Sequence, residues 1–206
     1  MRDVGVRRVV FISSGAVYGD QSNLPFQENY APNPGSPYAV SKLASEYYIR
    51  TIGTLWGIET VALRVFNAYG PGQHLPPSHA PVIPFFLRQA MQNGTLVVHG
   101  DGNQTRDYVY VDDVVEAMIA AASSPDVNRE VINVGSGKET SVRELVRLVI
   151  EITGSEPEVV YNNKVSAGVS RMCADLTLAE KKLNYRPMVS LHEGLWRMME
   201  SENFPK

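Results

Sequence analysis

Residues 7–14 read RRVVFISS, and this stretch constrains the fold more than any other part of the chain. Its four consecutive apolar residues, three of them β-branched, are typical of a strand buried on both faces of a parallel sheet. Residues 58–65, IETVALRV, form a second run of the same kind. Between them, Ser36-Pro37 places a capping residue before a proline at the first helical position, which predicts a helix that continues to about Leu55.

The rest of the chain continues this alternation of strands and helices. Apolar runs predict short strands at residues 96–99, 108–111 and 131–134, and helices over residues 82–92, 113–122 and 142–152. Four capping boxes predict helix starts, at Asp113/Glu116, Ser141/Glu144, Thr177/Glu180 and Ser190/Glu193. Together these patterns predict an α/β fold with a parallel sheet.

Composition excludes several classes of protein. The chain has 206 residues, 44% hydrophobic and 20% charged, which fits one globular domain or one large and one small lobe. The formal charge of −3 and the lack of a basic run argue against nucleic acid or an anionic membrane as partner. The single cysteine, Cys173, excludes a disulfide framework. With no long apolar stretch and no signal peptide, we predict a cytoplasmic protein.

Three motifs of other functional classes are incomplete. Residues 135–138, GSGK, lack both the earlier glycine and the following hydroxyl residue of a phosphate-binding loop, so a turn after a strand explains them better. Ser13-Ser14 lies outside the Gly-x-Ser-x-Gly frame of serine hydrolases. The four histidines show no metal-ligand spacing, so no metal site is predicted.

Tyr38 and Lys42 lie four residues apart on the first predicted helix, so their side chains share one face, one turn apart. A phenol with a pKa of about 10 is a poor base, but a neighbouring ammonium favours the phenolate and makes it a proton acceptor for a hydroxyl group. On spacing alone, a solvated Tyr–Lys pair is the better explanation. The context favours chemistry, because the preceding strand ends in Ser13-Ser14 and ligands bind at the carboxyl ends of such strands.

Six stretches, in order over essentially the whole chain, resemble the extended short-chain dehydrogenase/reductases, in particular the NAD-dependent nucleotide-sugar epimerases and dehydratases. They are residues 11–19 (FISSGAVYG), 37–42 (PYAVSK), 63–72 (LRVFNAYGPG), 100–109 (GDGNQTRDYV), 133–137 (NVGSG) and 174–176 (ADL). The resemblance implies the C-terminal part of a Rossmann-like doubly wound parallel sheet, with a small α/β substrate-binding lobe. It also implies NAD as cofactor and a nucleotide-diphosphate sugar as substrate.

The resemblance implies the catalytic residues. Ser14 matches the serine that hydrogen-bonds the reacting sugar oxygen, and Tyr38 matches the general acid/base. Lys42 matches the lysine that binds the nicotinamide ribose and favours the phenolate. Phe66 lies where the family contacts the nicotinamide pocket, although a buried aromatic is an equally good interpretation.

The resemblance also implies residues that bind the substrate diphosphate. Asn67 and Arg106 match the asparagine and arginine of that site, and an arginine suits it because its planar fork donates two hydrogen bonds and stays charged. Many members carry an arginine-x-glycine-aspartate signature before the Ala-Asp pair, but residues 165–168 here read VSAG. Arg171 is therefore the candidate that replaces the usual arginine.

The reaction type follows from two missing carboxylates. Family members that eliminate water or carbon dioxide carry acidic residues directly after the active-site serine or threonine, where this chain has Gly15 and Ala16. The resemblance then implies a 4-epimerase that passes through a 4-keto sugar. A related dehydratase or reductase, and a non-catalytic protein that only binds nucleotide sugars, remain as alternatives.

The resemblance implies two lobes and a missing part. Residues 1–70 and 108–135 correspond to the NAD domain, and residues 71–107 and 136–206 to the substrate lobe. No Gly-x-x-Gly-x-x-Gly loop occurs in the sequence, and residues 1–8 resemble the end of the helix before the catalytic strand. We therefore expect that a first mononucleotide-binding half is absent and that the sheet has an exposed apolar edge. Pairing of two copies through the Tyr38 helix is also implied.

Overall fold

Strands and helices alternate in the computed structural model, which describes residues 2–76, 80–164 and 168–201. In chain order, its elements are β1 (Arg8–Ser14), α1 (Pro37–Trp56), β2 (Glu59–Val65), β3 (Asn67–Tyr69), α2 (Val82–Met91), β4 (Thr95–His99), β5 (Thr105–Arg106), β6 (Tyr108–Tyr110), α3 (Val111–Ser123), β7 (Glu130–Val134), β8 (Thr140–Ser141), α4 (Val142–Thr153), β9 (Glu158–Asn162), α5 (Thr177–Leu183) and α6 (Leu191–Glu200). The predicted α/β fold is confirmed.

The central sheet contains β1, β2 and β7, in that order and all parallel. Ser14 pairs with Val65, and Val65 pairs with Val134, so the carboxyl ends of the three strands form one edge. The other strand pairs are β3–β6 and β4–β9, which are parallel, and β5–β8, which is antiparallel. The carboxyl edge of a parallel sheet is where ligands bind in open α/β folds, and Ser14 lies on it.

The start of α1 is the one that the Ser36-Pro37 signal predicts. Ser36 Oγ accepts a hydrogen bond from Ala39 N at 3.2 Å, and Pro37 is the first helical residue. Gly57 ends the helix in the left-handed conformation, with φ of 67°. Because both ends of α1 have capping residues, the neighbouring sequence determines where the helix that carries Tyr38 and Lys42 begins and ends.

The N-cap residues of two of the four predicted capping boxes are confirmed. Ser141 and Ser190 accept hydrogen bonds from Glu144 N and Glu193 N at the starts of α4 and α6. The other two predictions are wrong. Thr177 is the first residue of α5 and gives no cap, and α3 begins at Val111, directly after β6. The Asp113 carboxylate instead accepts hydrogen bonds from the backbone N–H groups of residues 188 and 189, which lack partners in a helix or strand.

Two clusters of buried apolar side chains connect these elements. One lies among α2, β4, α4 and α6, and the other packs β2 and β7 against α3 and α5. β6 contributes to both, since Tyr108 and Tyr110 face the first cluster and Val109 faces the second. The division into residues 1–70 with 108–135 and residues 71–107 with 136–206 stays a prediction. α5, from the second set, packs on the sheet of the first.

Among the described residues, no helix is both long and apolar enough to cross a membrane. Within the same ranges, no group of three or more histidine, cysteine, aspartate or glutamate side chains is arranged to hold a metal ion.

Cys173 is expected to resist alkylation in the folded protein. Its side chain is buried, and burial, together with the nearby Asp107 carboxylate, raises the pKa of the thiol to about 12. Since the thiolate is the reactive form, modification by iodoacetamide at pH 8 should be at least about 100-fold slower than in denaturant. Mass spectrometry of timed samples measures both rates. Equal rates in the two conditions would show that this part of the chain is not packed as described.

Candidate active site

Tyr38 and Lys42 lie on the first two turns of α1, beside the carboxyl end of β1. Lys42 Nζ is 5.7 Å from the centre of the Tyr38 ring and 5.3 Å from that of Phe11. The ammonium donates a hydrogen bond to Ile12 O at 2.9 Å, which ties the helix to β1. Tyr38 is 55% exposed, so its phenol is open to a ligand. The structure therefore brings together the phenol and the ammonium that the sequence paired.

Ser14 ends β1 and starts the turn that leads away from the sheet. Its Oγ accepts a hydrogen bond from Ala16 N at 3.2 Å and caps the 3-10 turn Gly15–Tyr18. Because the hydroxyl acts only as an acceptor in this bond, its proton remains available to donate to a ligand. Ser14 thus lies at the same edge as the Tyr38 helix, as the sequence predicted.

Phe66 lies under this turn, in the protein interior. It is 6% exposed and packs in a cluster with Tyr18 and Phe26, whose ring centres are 6.3 and 6.4 Å away. A Cβ atom at Gly15 would lie 3.1 Å from the Phe66 ring, so the ring and the backbone of the Ser14 turn touch. Of the two interpretations of Phe66, the packing favours the buried aromatic, and a nicotinamide contact stays a prediction.

Asn67 lies in a small cavity between β3, β6 and the start of α2. The cavity measures about 160 Å³ and is lined by Asn67, Gln73 and Tyr108 together with apolar residues. Asn67 Oδ1, Gln73 Oε1 and Tyr108 Oη are buried there, and none of the three has a hydrogen-bond partner among the described residues. A buried polar atom without a partner costs about 1–3 kcal/mol, so a polar ligand in this cavity would remove that cost.

Gln73 and Tyr108 were missed by the sequence prediction. Tyr108 lies two residues after Arg106, and Gln73 directly follows the stretch at residues 63–72, so proximity to the recognised motifs was the available signal. Burial raises the pKa of the Tyr108 phenol to about 12, which is only partly offset by Arg106. At neutral pH, Tyr108 therefore keeps its proton and is a hydrogen-bond donor.

Arg106 lies on β5, two residues before Tyr108. Its Nη1 donates to Thr105 O at 2.7 Å and to Val169 O at 2.8 Å. Burial lowers the pKa of the guanidinium, but an arginine stays charged at neutral pH. Of the four residues at 165–168, where the family signature is absent, three lie outside the described residues. Arg106 lies beside Gly168, the fourth of these residues. A Cβ atom built on that glycine would lie 3.9 Å from Arg106 Nη2.

Arg171 binds a carboxylate, Glu139, that also accepts a hydrogen bond from Thr105, the residue before Arg106. Its guanidinium forms an ion pair with Glu139, and Nε donates to Glu139 Oε1 at 2.9 Å. Arg171 lowers the pKa of that carboxyl, so the pair stays ionised. The cavity that Arg171 lines, about 680 Å³, contains none of the other six predicted residues. Its role as a phosphate ligand stays a prediction.

The turn at residues 135–138 is closed by Asp107. The carboxylate accepts hydrogen bonds from Ser136 N at 2.6 Å, from Gly137 N at 3.0 Å and from Ala174 N at 3.0 Å. A phosphate would need these N–H groups, but an acidic side chain already occupies them. This arrangement gives a physical reason why the GSGK sequence is a turn and not a phosphate-binding loop.

Known proteins are similar to this chain in sequence and in fold. A family model described as the NAD dependent epimerase/dehydratase family matches residues 1–135. A putative UDP-glucose 4-epimerase of Methanocaldococcus jannaschii is 40% identical over 200 residues, which cover 97% of this chain and 64% of that protein. UDP-glucose 4-epimerase of Thermotoga maritima, crystallised with UDP-glucose, has a TM-score of 0.90 at 37% identity and covers 97% of this chain and 64% of its own.

A third comparison is with UDP-glucuronic acid 4-epimerase of Bacillus cereus, solved in complex with UDP-glucuronic acid and NAD. It has a TM-score of 0.88 at 30% identity, with 97% of this chain and 62% of that chain covered. The chain thus spans a little over three-fifths of the length of the relatives it matches. The segment that the family model matches includes β1, α1 and β2 and makes up more than half of the 206 residues, so the chain belongs to the NAD-dependent epimerase/dehydratase family.

Proposed function

We propose that this chain carries the catalytic and substrate-binding residues of a nucleotide-sugar 4-epimerase that uses NAD. The observation that carries the proposal is the placement of the Tyr38 phenol and the Lys42 ammonium one helical turn apart, at the carboxyl end of β1, where Ser14 also lies. Further support comes from relatives that are named as 4-epimerases of UDP-sugars.

Each of the three residues has a defined task in this reaction. Tyr38, as phenolate, accepts the proton of the sugar 4-hydroxyl while the hydrogen on C4 leaves as hydride, which yields a 4-keto sugar. Ser14 donates a hydrogen bond to the same oxygen, and Lys42 stabilises the phenolate. The keto sugar then rotates in the site. Hydride returns to the opposite face of C4, and Tyr38 gives the proton back to the C4 oxygen. No atom is gained or lost, so the product is the C4 epimer.

Elimination chemistry is disfavoured by the residues that follow Ser14. A dehydratase or decarboxylase of this family would need carboxylates where Gly15 and Ala16 stand. Gly15 also lies against the Phe66 ring, so a longer side chain at this position would require the ring to move. Neither residue can give or take a proton, which favours the epimerase over the related dehydratase.

The residues present fit one end of NAD. The Tyr38 phenol is exposed and the Lys42 ammonium lies beside it, a donor set suited to the ribose next to the nicotinamide. No glycine-rich dinucleotide loop occurs in the 206 residues, so the sequence supplies no such contacts for the pyrophosphate. When bound, NAD supplies the hydride acceptor, and the residues named above handle the proton.

Calorimetry and product analysis test the proposal. The chain is titrated with UDP-glucose, with and without NAD, and the sugar is analysed by NMR after incubation. We expect binding of UDP-glucose and, where NAD also binds, inversion at C4. A product lighter by one water would indicate the dehydratase alternative. Binding without NAD affinity or inversion would indicate a protein that only binds nucleotide sugars. No binding of UDP-glucose at millimolar concentration would contradict the assignment of the site.

Replacing Asn67 by leucine is expected to weaken UDP-sugar binding by about tenfold, because a polar contact is lost in a buried cavity. Folding stability should not fall, because Asn67 Oδ1 accepts no hydrogen bond within the described ranges and none is lost. Calorimetry and thermal unfolding measure the two effects. Asn128→Leu is the matched control, since Asn128 Oδ1 accepts from Thr60 N at 3.0 Å. It should lower stability and leave the affinity unchanged, and the reverse pattern would contradict the role of Asn67.

A further inference from the structure

α1 contacts the sheet through an unusual set of buried residues. Only Ala39, Glu46 and Gly53 of its described residues are fully buried, at intervals of seven residues, or two turns. At Gly53 a Cβ atom would lie 2.5 Å from Thr60 Cγ2 on β2, so the helix approaches that strand closely there. Two of the three residues are small and Glu46 is the large one. The middle of this helix is therefore attached to the sheet by a carboxylate.

Glu46 binds both of the strands beneath it. Arg64 donates to it through two nitrogens, Nε to Oε1 at 3.0 Å and Nη2 to Oε2 at 2.8 Å. Ser13 Oγ donates to the same Oε1 at 2.5 Å. Ser13 on β1 and Arg64 on β2 are register partners in the sheet. The Glu46 and Arg64 side chains are 6% and 5% exposed, so water does not compete for these bonds.

Arg64 extends the connection to the turn after Ser14. Its guanidinium lies 4.7 Å from the centre of the Tyr18 ring, and Tyr18 Oη donates to Asn133 Oδ1 at 2.8 Å. Asn133 belongs to β7. A continuous set of polar contacts therefore connects α1 with all three strands of the sheet and with the turn that Ser14 caps.

Stability is a weak explanation for this buried ion pair. Removing two charges from water is costly, and apolar replacements of similar volume are often as stable as the pair. Geometry offers a better explanation. Lys42 and Glu46 are one turn apart on α1, and they bind consecutive residues of β1, the Ile12 carbonyl and the Ser13 hydroxyl. Two hydrogen bonds to consecutive residues of one strand determine both the rotation of a helix about its axis and its position along that strand.

We propose that Glu46, held by Arg64 and Ser13, is a positioning residue that orients α1 so that Lys42 and Tyr38 face the Ser14 edge. The proposal rests on the proposed function for the roles of Tyr38 and Lys42. The orientation itself can be measured without turnover, through the reactivity of the Lys42 amine.

The test compares acetylation of Lys42 with that of Lys181, an exposed lysine on α5, by peptide mass spectrometry of the same sample. The main variant is Glu46→Leu/Arg64→Met, which removes one charge of each sign and so leaves the net charge near Lys42 unchanged. We expect a Lys42/Lys181 ratio at least about threefold above that of the unchanged chain, because the amine loses its protection, with a melting temperature within a few degrees.

A matched control and a second variant complete the test. Glu59→Gln breaks the Arg8–Glu59 ion pair, which spans the same two strands at their other ends, and should leave the ratio unchanged. Glu46→Asp keeps the charge but shortens the side chain by one methylene, so it should raise the ratio even if the double variant does not fold. An unchanged ratio in Glu46→Asp, or in a folded double variant, overturns the proposal, as does an equal rise in Glu59→Gln.

Turnover separates this proposal from the proposed function. In a form that epimerises UDP-glucose, Glu46→Asp should lower kcat by about tenfold with KM unchanged, since the Asn67 cavity is built by other elements. A changed Lys42 ratio in a chain that does not bind UDP-glucose would support the positioning role and contradict the function. Normal binding of UDP-glucose with an unchanged Lys42/Lys181 ratio would support the function and contradict the positioning role.

Discussion

Replacement of Tyr38 by phenylalanine should lower the rate of C4 inversion by a factor of about 10² to 10⁴, the usual contribution of a positioned acid/base. The change removes only the phenolic oxygen, which in the proposed reaction both accepts and returns the proton. Tyr38 is 55% exposed and α1 is capped independently of it, so the fold should be retained. Affinity for UDP-glucose should change little, because the Asn67 cavity does not include Tyr38.

Tyr48→Phe is the matched control for this experiment. Tyr48 lies on the same helix and is 69% exposed, and the substitution is chemically identical. The rates are compared in a form of the protein that binds NAD, by NMR of the sugar product. We expect loss of inversion in Tyr38→Phe only. Equal rates in the two variants would refute the acid/base assignment, whereas equal losses would point to a general effect on α1.

Replacement of Asp107 by alanine should lower the free energy of unfolding by about 3 kcal/mol or more, because three backbone N–H groups lose their acceptor. These groups belong to Ser136, Gly137 and Ala174. The Asp107 side chain is fully buried, so water cannot readily replace it. The melting temperature should fall by about 10 °C for a chain of this size.

Asp112→Ala is the control for the loss of a carboxylate from the same region. The Asp112 side chain is 66% exposed and its ion-pair distance to Arg197 is 3.7 Å, so its loss should cost less than about 1 kcal/mol. Thermal and urea unfolding measure both variants. If Asp107→Ala were as stable as Asp112→Ala, the turn at residues 135–138 would have another means of satisfying its N–H groups.

Features with local signals were predicted well from the sequence. The start of α1, its end near residue 56 and the buried strands on either side all depend on residues within a few positions of one another. The capping predictions at Ser141 and Ser190 succeeded for the same reason. The one at Asp113 failed because its carboxylate binds N–H groups 75 and 76 residues away, which no local pattern indicates.

The residues assigned through the resemblance also differ in whether their contacts are local in sequence. Ser14, Tyr38 and Lys42 lie together because β1, a loop and α1 follow one another along the chain. Arg171 was assigned from a motif position, but its ion pair with Glu139 joins residues that are 32 positions apart. Whether that arginine serves the substrate or the carboxylate therefore depends on packing and not on its place in the motif.

By itself, the sequence determined the α/β fold, the edge of the sheet that carries Ser14, and the helix turn that joins Tyr38 to Lys42. These properties depend on hydrophobic runs, caps and the spacing of residues within single elements. Only the tertiary structure decided that Phe66 is buried, that Asn67, Gln73 and Tyr108 share a cavity, and that Glu46 binds Ser13 and Arg64. These contacts join residues far apart in sequence, and whether they form depends on how the elements pack in three dimensions.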